Sequence, residues 1–445
     1  MGIVVTKFGG SSLADAGQFR KVRDILLADE NRKYVVPSAP GRRDADDAKV
    51  TDLLYACHTL AAEGRAHEFE ETFSAIRERY LGIVEELGLS PECIATQLEQ
   101  ARFAILSGMG PDYAASRGEF LNGLLLSAYL GWEFIDAAEV IFFDAAGRFD
   151  AERTQEVLSA RLGRTEYAVI PGFYGSLPNG EIKTFTRGGS DVTGAIVARA
   201  AGAELYENWT DVSGFLMADP RIVKRPKRIH VITYRELREL SYMGATVLHE
   251  DAIFPVRMAG IPINIRNTNE PEHPGTTILE SIEEDTNDGS FITGIAGKKG
   301  FSVITIAKTG MSGDPGTLVR ILEILAKHEV NVEYIPSGID IISLVVESKK
   351  VSKCLYAMLG ELQKEVQPNK ITVTEHIAVV AAVGRKMAYR PGVSGKIFAK
   401  LGENGVNIRM ITQGPEELNI IVGVEEKDFA QAIRVLYDSF VKEHI

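Results

Sequence analysis

Apolar and polar positions alternate in short blocks from the first residue. Ile3 to Phe8 is a β-branched, mostly apolar run that ends at Gly9-Gly10-Ser11-Ser12. Such a run reads as a buried strand delivering the chain into a glycine turn. Met1-Gly2-Ile3-Val4-Val5-Thr6 also matches a loose myristoylation pattern; the buried first strand is the preferred reading. A helix is expected over 13–28 and a strand at Tyr34-Val35-Val36. The stretch 51–100 is mostly helical, with Leu53, Leu54, Cys57 and Leu60 at helical spacing. Further strands are expected at 102–106, 133–135, 167–170, 181–186, 205–209 and 262–266, and helices at 119–130, 191–201 and 246–259. Alternation of this kind predicts an α/β layer fold.

Residues 270–289 carry Pro271, Pro274, Gly275 and the acidic run Glu283-Glu284-Asp285 with little apolar content, which predicts a linker and a boundary near 285. Beyond it the sequence repeats after a shift of 76 residues. Pro315-Gly316 falls on Pro391-Gly392, Val330-Asn331-Val332 on Val406-Asn407-Ile408, and Leu344-Val345-Val346 on Ile420-Ile421-Val422. Each copy reads strand, Pro-Gly turn, helix, Val-Asn strand, apolar strand. One supersecondary unit used twice is therefore expected, with the copies pairing in this chain or with another.

Length (445 residues) implies several domains, and 45% hydrophobic with 25% charged residues is ordinary globular usage. A formal net charge of -12 argues against nucleic acid as a partner. Cys57, Cys93 and Cys354 are scattered, which argues against a disulfide framework or a zinc site and fits a reducing cytoplasm. No apolar run is long enough to suggest a membrane span.

Four strings carry candidate chemistry. In Lys7-Phe8-Gly9-Gly10-Ser11-Ser12, a lysine, two glycines and two hydroxyls sit where a strand opens into a helix. Glycines let backbone amides approach a phosphate, and the helix mouth adds partial positive charge; a turn needing glycine for geometry alone has the same look. The Walker spacing G-x-x-x-x-G-K-[ST] is absent. Thr186-Arg187-Gly188-Gly189-Ser190-Asp191 repeats the arrangement, with Arg187 suited to a carboxylate and Ser190 or Asp191 suited to capping. Two such mouths imply two anions bound head to head. Glu119 in Ser116-Arg117-Gly118-Glu119 either complements a helix start or receives a substrate ammonium. Asp211, in Trp209-Thr210-Asp211-Val212-Ser213-Gly214, either contacts a ligand at a strand end or forms a turn.

Together these strings, with Tyr242-Met243-Gly244-Ala245, Val247-Leu248-His249, Ala259-Gly260-Ile261-Pro262 and Pro274-Gly275-Thr276, resemble the signature of aspartate kinases in the amino acid kinase family. The tail repeat resembles paired ACT domains. The resemblance covers nearly the whole chain in order. It implies an α/β/α sandwich over 1–285, followed by two ferredoxin-like βαββαβ ACT domains at 286–372 and 373–445, with strands open to exchange between them. It implies transfer of the ATP γ-phosphoryl group to the β-carboxylate of L-aspartate, the first step of lysine, threonine and methionine biosynthesis.

The resemblance also implies roles. Lys7 would meet the transferring phosphoryl group, Asp191 would hold Lys7, and Gly9, Gly10 and Ser11 would cradle ATP. Arg187 would take the α-carboxylate of aspartate and Glu119 its ammonium, with Thr51, Ser190, Ser38 and Phe173 completing the pocket. Thr210, Asp211 and Arg221 would face the nucleotide, and Mg²⁺ would ride on the phosphates, with no separate protein metal site. A feedback amino acid, lysine first and threonine second, would bind near Met311, Ser312, Asp314, Gly316, Ser337, Asp340 and Asn407. A cytoplasmic homodimer or higher homo-oligomer paired through the ACT units follows, without membrane or nucleic-acid partners. Many relatives carry Lys where this chain has Thr246, Pro where it has Glu250 and Tyr near Leu216. The rivals are another amino acid kinase, such as a glutamate kinase, and a non-catalytic amino-acid sensor.

Overall fold

β1 (Val4–Phe8) is buried along its whole length, its polar Thr6 and Lys7 included. A 3-10 turn at Gly10–Leu13 leads into α1 (Ala16–Leu27), whose N-cap Asp15 accepts from the Gln18 amide. β2 (Arg32–Pro37) follows, then α2 (Val50–Ala62), α3 (Ala66–Glu86), α4 (Ala95–Leu106) and α5 (Pro111–Leu130). Next come β3 (Glu133–Phe134), α6 (Ala137–Val140), α7 (Ala151–Leu162), β4 (Ala168–Val169), and the hairpin of β5 (Tyr174–Ser176) and β6 (Ile182–Thr184). α8 (Gly189–Ala200), β7 (Leu205–Thr210), β8 (Val231–Thr233), α9 (Tyr234–Tyr242), α10 (Glu250–Met258), β9 (Ile263–Asn267) and β10 (Thr276–Leu279) complete this part. The computed structural model describes residues 2–186, 188–244, 250–282, 292–385, 387, 390–413 and 418–442.

Eight strands form one sheet in the order β3-β4-β2-β1-β7-β9-β10-β8. β10 runs antiparallel to β9, and the other described strand pairs of this sheet are parallel. Strand periodicity of two sends alternate side chains to opposite faces. Phe8 and Trp209 stack with ring centroids 5.8 Å apart and join the core built with α1 to α5. Lys7, Tyr206 and Asn208 point the other way, and all three bond to Asp191 of α8. Helices therefore cover both faces, as the α/β/α expectation requires. The helices owe their seats to ordinary spacing: Phe69, Phe73, Ile76, Tyr80 and Ile83 are the buried stripe of α3.

The structure corrects five sequence expectations. Residues 102–106 end α4 and are not a strand; Leu98, Ala101 and Ile105 face inward at helical spacing while Phe103 is exposed. The stretch expected to be a linker contains β10, whose Thr276 and Ile278 are buried. Glu119 lies well inside α5, which starts at Pro111, so the helix-start reading fails. Neither Ser190 nor Asp191 caps α8; its N-cap is Gly188 at φ 57°, in the left-handed region that glycine tolerates. Residues 330–332 form no strand; that edge is carried by bridges from Tyr334 to Val345 and Ser337 to Ile342.

The remaining elements are β11 (Ile292–Ala307), α11 (Gly316–Lys327), β12 (Ile341–Glu347), α12 (Ser348–Val351), α13 (Leu355–Val366), β13 (Lys370–Gly384), α14 (Val393–Glu403), β14 (Ile408–Thr412), β15 (Asn419–Glu425) and α15 (Phe429–Tyr437). The sheet order is β12-β11-β13-β15-β14. β11 and β13 are long enough to serve both repeats. Residues 301–307 of β11 pair with β12 and the start of β13, whereas 292–298 pair with the end of β13. The first repeat's core comprises Ile304, Ile321, Leu325, Leu344, Met358 and Leu362. The chain divides into two compact units that are discontinuous in sequence: Met1–Phe215, His230–Tyr234 and Val247–Glu283 form one, and Leu216–Ile229, Arg235–Thr246 and Glu284–Ile445 form the other.

Candidate active site

The carboxyl ends of parallel strands are where ligands gather in open α/β sheets, and a cavity of about 210 Å³ lies there. Lys7, Ser38, Thr51, Glu119, Phe173, Gly188, Gly189, Ser190 and Asp191 line it. All of these were singled out from the sequence. Lys7 comes from β1, Ser38 follows β2, Thr51 opens α2, Glu119 sits within α5, and 188–191 open α8.

Lys7 Nζ lies 2.6 Å from Asp191 Oδ1, and both side chains are largely shielded. Asn208 Nδ2 donates to the same carboxylate oxygen at 2.8 Å, and the Tyr206 hydroxyl donates to the Asp191 carbonyl at 3.2 Å. Lys7 and Asn208 are register partners on adjacent parallel strands, which is why both reach one carboxylate. Asn208 is a site residue the sequence reading missed. Its signal was a polar side chain in the middle of a buried strand.

Glu119 is buried, and desolvation pushes its carboxyl up to about 7. The Ala39 amide, its own backbone, the Ser190 hydroxyl and the Lys7 charge oppose that rise. Among the described residues Glu119 Oε2 has no hydrogen-bond partner, so one buried acceptor is left unsatisfied at the site. An ammonium group would satisfy it.

Close backbone approach explains the glycines. A Cβ on Gly10 would sit 2.9 Å from the Ala39 carbonyl oxygen, and one on Gly41 would sit 2.6 Å from the Gly10 carbonyl carbon. The Gly41 amide donates to the Gly10 carbonyl at 2.8 Å. The Gly9 amide donates to the Trp209 carbonyl at 3.0 Å, so Gly9 fixes the loop against β7 rather than offering that amide outward. Ser11 is half-buried beside it, and Ser12 accepts from the Thr268 hydroxyl at 2.7 Å. Phe173 holds φ at 80°, a strained value for a large residue. Its amide donates to Thr193 Oγ1 at 3.0 Å.

Other expected residues lie elsewhere. Thr210 ends β7, and its hydroxyl donates to Asp211, which is exposed. Arg221 belongs to the second unit and is bound to Asp219 through Nε and Nη2. Arg187 and Thr246 lie outside the described residues, as does the 245–249 string. Of the expected effector residues, Met311, Asp314 and Asp340 gather at one turn: Asp340 Oδ1 accepts from the Gly310 and Met311 amides at 2.9 and 3.2 Å, and the Asp314 amide donates to the Met311 carbonyl. Thr317, Arg320 and Lys308 hold Asp314 and depress its carboxyl to about 2. Met311 is buried there, Ser312 and Ser337 are exposed, and Gly316 opens α11. Asn407 is exposed in the second repeat, just before β14. Among the described residues no helix is long and apolar enough to cross a membrane.

Comparison with known proteins places this geometry. The model of the amino acid kinase family matches residues 2–267, and an ACT domain model matches 380–440. Aspartokinase 3 of Bacillus subtilis is 36% identical over 453 residues, spanning 98% of each chain. The crystal structure of Clostridium acetobutylicum aspartate kinase, described as an allosteric enzyme, has a TM-score of 0.92 and 52% identity, covering 99% of this chain and all of that one. Aspartokinase III of E. coli, at 29% identity, superposes with a TM-score of 0.76 in its complex with lysine and aspartate, over 99% of both chains. Its complex with aspartate and ADP gives 0.73, over 98% of this chain and 99% of that one. The chain belongs to the aspartate kinases of the amino acid kinase family.

Proposed function

We propose that this chain transfers the γ-phosphoryl group of ATP to the β-carboxylate of L-aspartate. The observation that carries the reading is the Lys7–Asp191 pair at 2.6 Å in a cavity that also holds Glu119 with an unsatisfied oxygen. The E. coli relative solved with aspartate and ADP supports it.

A carboxylate acceptor is ionised at neutral pH, since its pKa is about 3.9, so no general base is needed. The work is to align two anions and neutralise charge on the phosphoryl oxygens. Lys7 supplies that charge, oriented by Asp191 and Asn208. Gly10, Ser11 and the mouth of α8 carry the phosphates, with Gly9 setting the loop. Glu119 takes the substrate ammonium, Arg187 its α-carboxylate, and Ser38, Thr51, Phe173 and Ser190 close the pocket. Thr210 and Asp211 face the nucleotide. The acidic side chains lining the cavity are Glu119 and Asp191, and Asp191 is already paired. That donor set fits Mg²⁺ carried on phosphate oxygens rather than in a protein cage.

Residues 1–285 are assigned to catalysis, and 286–372 and 373–445 to two ACT units that exchange strands through β11 and β13. Lysine, or next threonine, acts at the turn of Met311–Gly316 with Ser337, Asp340 and Asn407; the E. coli relative solved with lysine supports the choice. A cytoplasmic homo-oligomer paired through the ACT units completes the reading.

A coupled ADP-release assay with aspartate or glutamate, each with and without lysine or threonine, tests it. Aspartate-dependent release is expected from the parent, strongly reduced in Lys7→Ala. Turnover with glutamate alone would replace the reading, and indifference to both amino acids would remove the feedback role.

A further inference from the structure

We propose that two neighbouring residues of α3, Arg79 and Tyr80, are positioning residues: Arg79 sets the ATP phosphate loop and Tyr80 sets the helix that carries Glu119. The inference rests on the catalytic reading above and extends it to residues that do not line the cavity.

The segment 38–41 is the layer between the two halves of the site. On one side its Gly41 backbone lies against Gly10, with the Gly41 amide bonded to the Gly10 carbonyl at 2.8 Å. On the other side a Cβ on Gly118 would lie 2.8 Å from the Ala39 Cβ. The Ala39 amide also bonds the Glu119 carboxylate. A displacement of this layer therefore moves the phosphate loop and the ammonium receptor together, unless each is held separately.

Arg79 holds the first. It is 8% exposed, and Nη1 donates to the Gly41 carbonyl at 3.1 Å and to the Ala14 carbonyl at 3.5 Å. Ala14 directly follows the 3-10 turn formed by Gly10–Leu13, so one guanidinium ties both strands of backbone that flank the phosphate loop. Its Nη2 pairs with Asp47, which also accepts from the Arg43 amide and Arg43 Nε, each at 2.9 Å. The planar fork suits this: several donors fixed in one plane, which an ammonium cannot copy.

Tyr80 holds the second. Its buried hydroxyl donates to the Gly118 carbonyl at 2.6 Å. That carbonyl belongs to the peptide unit whose nitrogen is Glu119's, so the bond fixes the backbone from which the receptor projects. Glycine at 118 leaves this peptide without a side chain of its own to anchor it.

Two adjacent positions in one helix thus predict opposite substrate signatures, which a shared packing role does not. The test measures KM for ATP, KM for aspartate, kcat and Tm for the parent, Arg79→Met, Arg79→Lys and Tyr80→Phe. Calorimetric binding of a non-hydrolysable ATP analogue is measured for each. Losing a buried bond to a charged donor predicts a rise of about tenfold in KM for ATP in Arg79→Met, with KM for aspartate within about twofold. Tyr80→Phe is expected to raise KM for aspartate by about threefold to tenfold and leave ATP binding within about twofold. Arg79→Lys falls between parent and Arg79→Met, and carries the test if Arg79→Met does not fold. Equal shifts in both KM values, or a lowered Tm with parental KM and kcat, would overturn the proposal. A parent that binds the ATP analogue but shows no aspartate turnover would instead defeat the catalytic reading, while the analogue affinities of the Arg79 variants still decide the phosphate-loop role.

Discussion

Burial holds the Glu119 carboxyl near pH 7, while a free glutamate titrates near 4.3. Between those values the native state binds more protons than the unfolded chain, so unliganded stability falls as pH rises through that window. Aspartate binding, with Glu119 as the proposed ammonium receptor, acts in the opposite sense, because an ammonium favours the carboxylate. We therefore expect kcat/KM for aspartate to climb through about pH 7 to a plateau, and Glu119→Gln to flatten the climb and raise KM; initial rates from pH 5.5 to 8.5 check this. Asn208→Ala removes a bond to the carboxylate that orients Lys7, and should lower kcat about tenfold with little change in Tm. Lys7, Ser190 and Asp191 were legible from sequence because lysine, glycine, hydroxyl and acid types cluster where strands open into helices; Glu119, well inside α5, was marked by the family resemblance. Asn208 was not, because its role arises only when β7 pairs in register beside β1.

Periodicity carried most elements but not their ends. The run at 102–106 is apolar enough for a strand, yet its neighbours Leu98 and Ala101 extend a helical stripe that tertiary packing rewards. Residues 276–279 have strand residues, but surrounding prolines, glycine and acids hid them within a linker pattern. The Gly9-Gly10 turn was legible as a strand-to-helix turn; its tight partner Gly41 was not, since they meet only through β1 and β2. Gly41→Ala places a Cβ against immovable backbone, 2.6 and 2.8 Å from the Gly10 carbonyl atoms. We expect a loss of about 1–3 kcal/mol in stability and a raised KM for ATP, read by chemical denaturation and initial rates.

The repeat at 76 residues revealed two related units, but not that β11 and β13 each serve both. Nor did linear reading reveal that 216–229 and 235–244 pack with the C-terminal repeats. In that unit the Ile295 amide donates to the Met217 carbonyl at 2.7 Å, and the Lys227 amide to the Tyr437 hydroxyl at 2.7 Å. Fully buried Glu236 of α9 accepts from Arg385 Nε at 3.1 Å and from the Thr293 hydroxyl. Contacts between residues this distant in sequence leave no periodic trace. Arg385→Met removes a charge partner from a buried carboxylate and should destabilise the unit by about 3–5 kcal/mol, with Glu236→Gln restoring much of it in the double variant; denaturant titration of the four proteins measures the coupling.

Transfer of phosphoryl to a side-chain carboxylate leaves an acyl phosphate as its product. Trapping that product with hydroxylamine tests the transfer most directly. With ATP, Mg²⁺ and L-aspartate, the parent should give aspartyl β-hydroxamate in step with ADP, and Lys7→Ala should give almost none. ADP without hydroxamate, or equal hydroxamate from Lys7→Ala, would contradict the account.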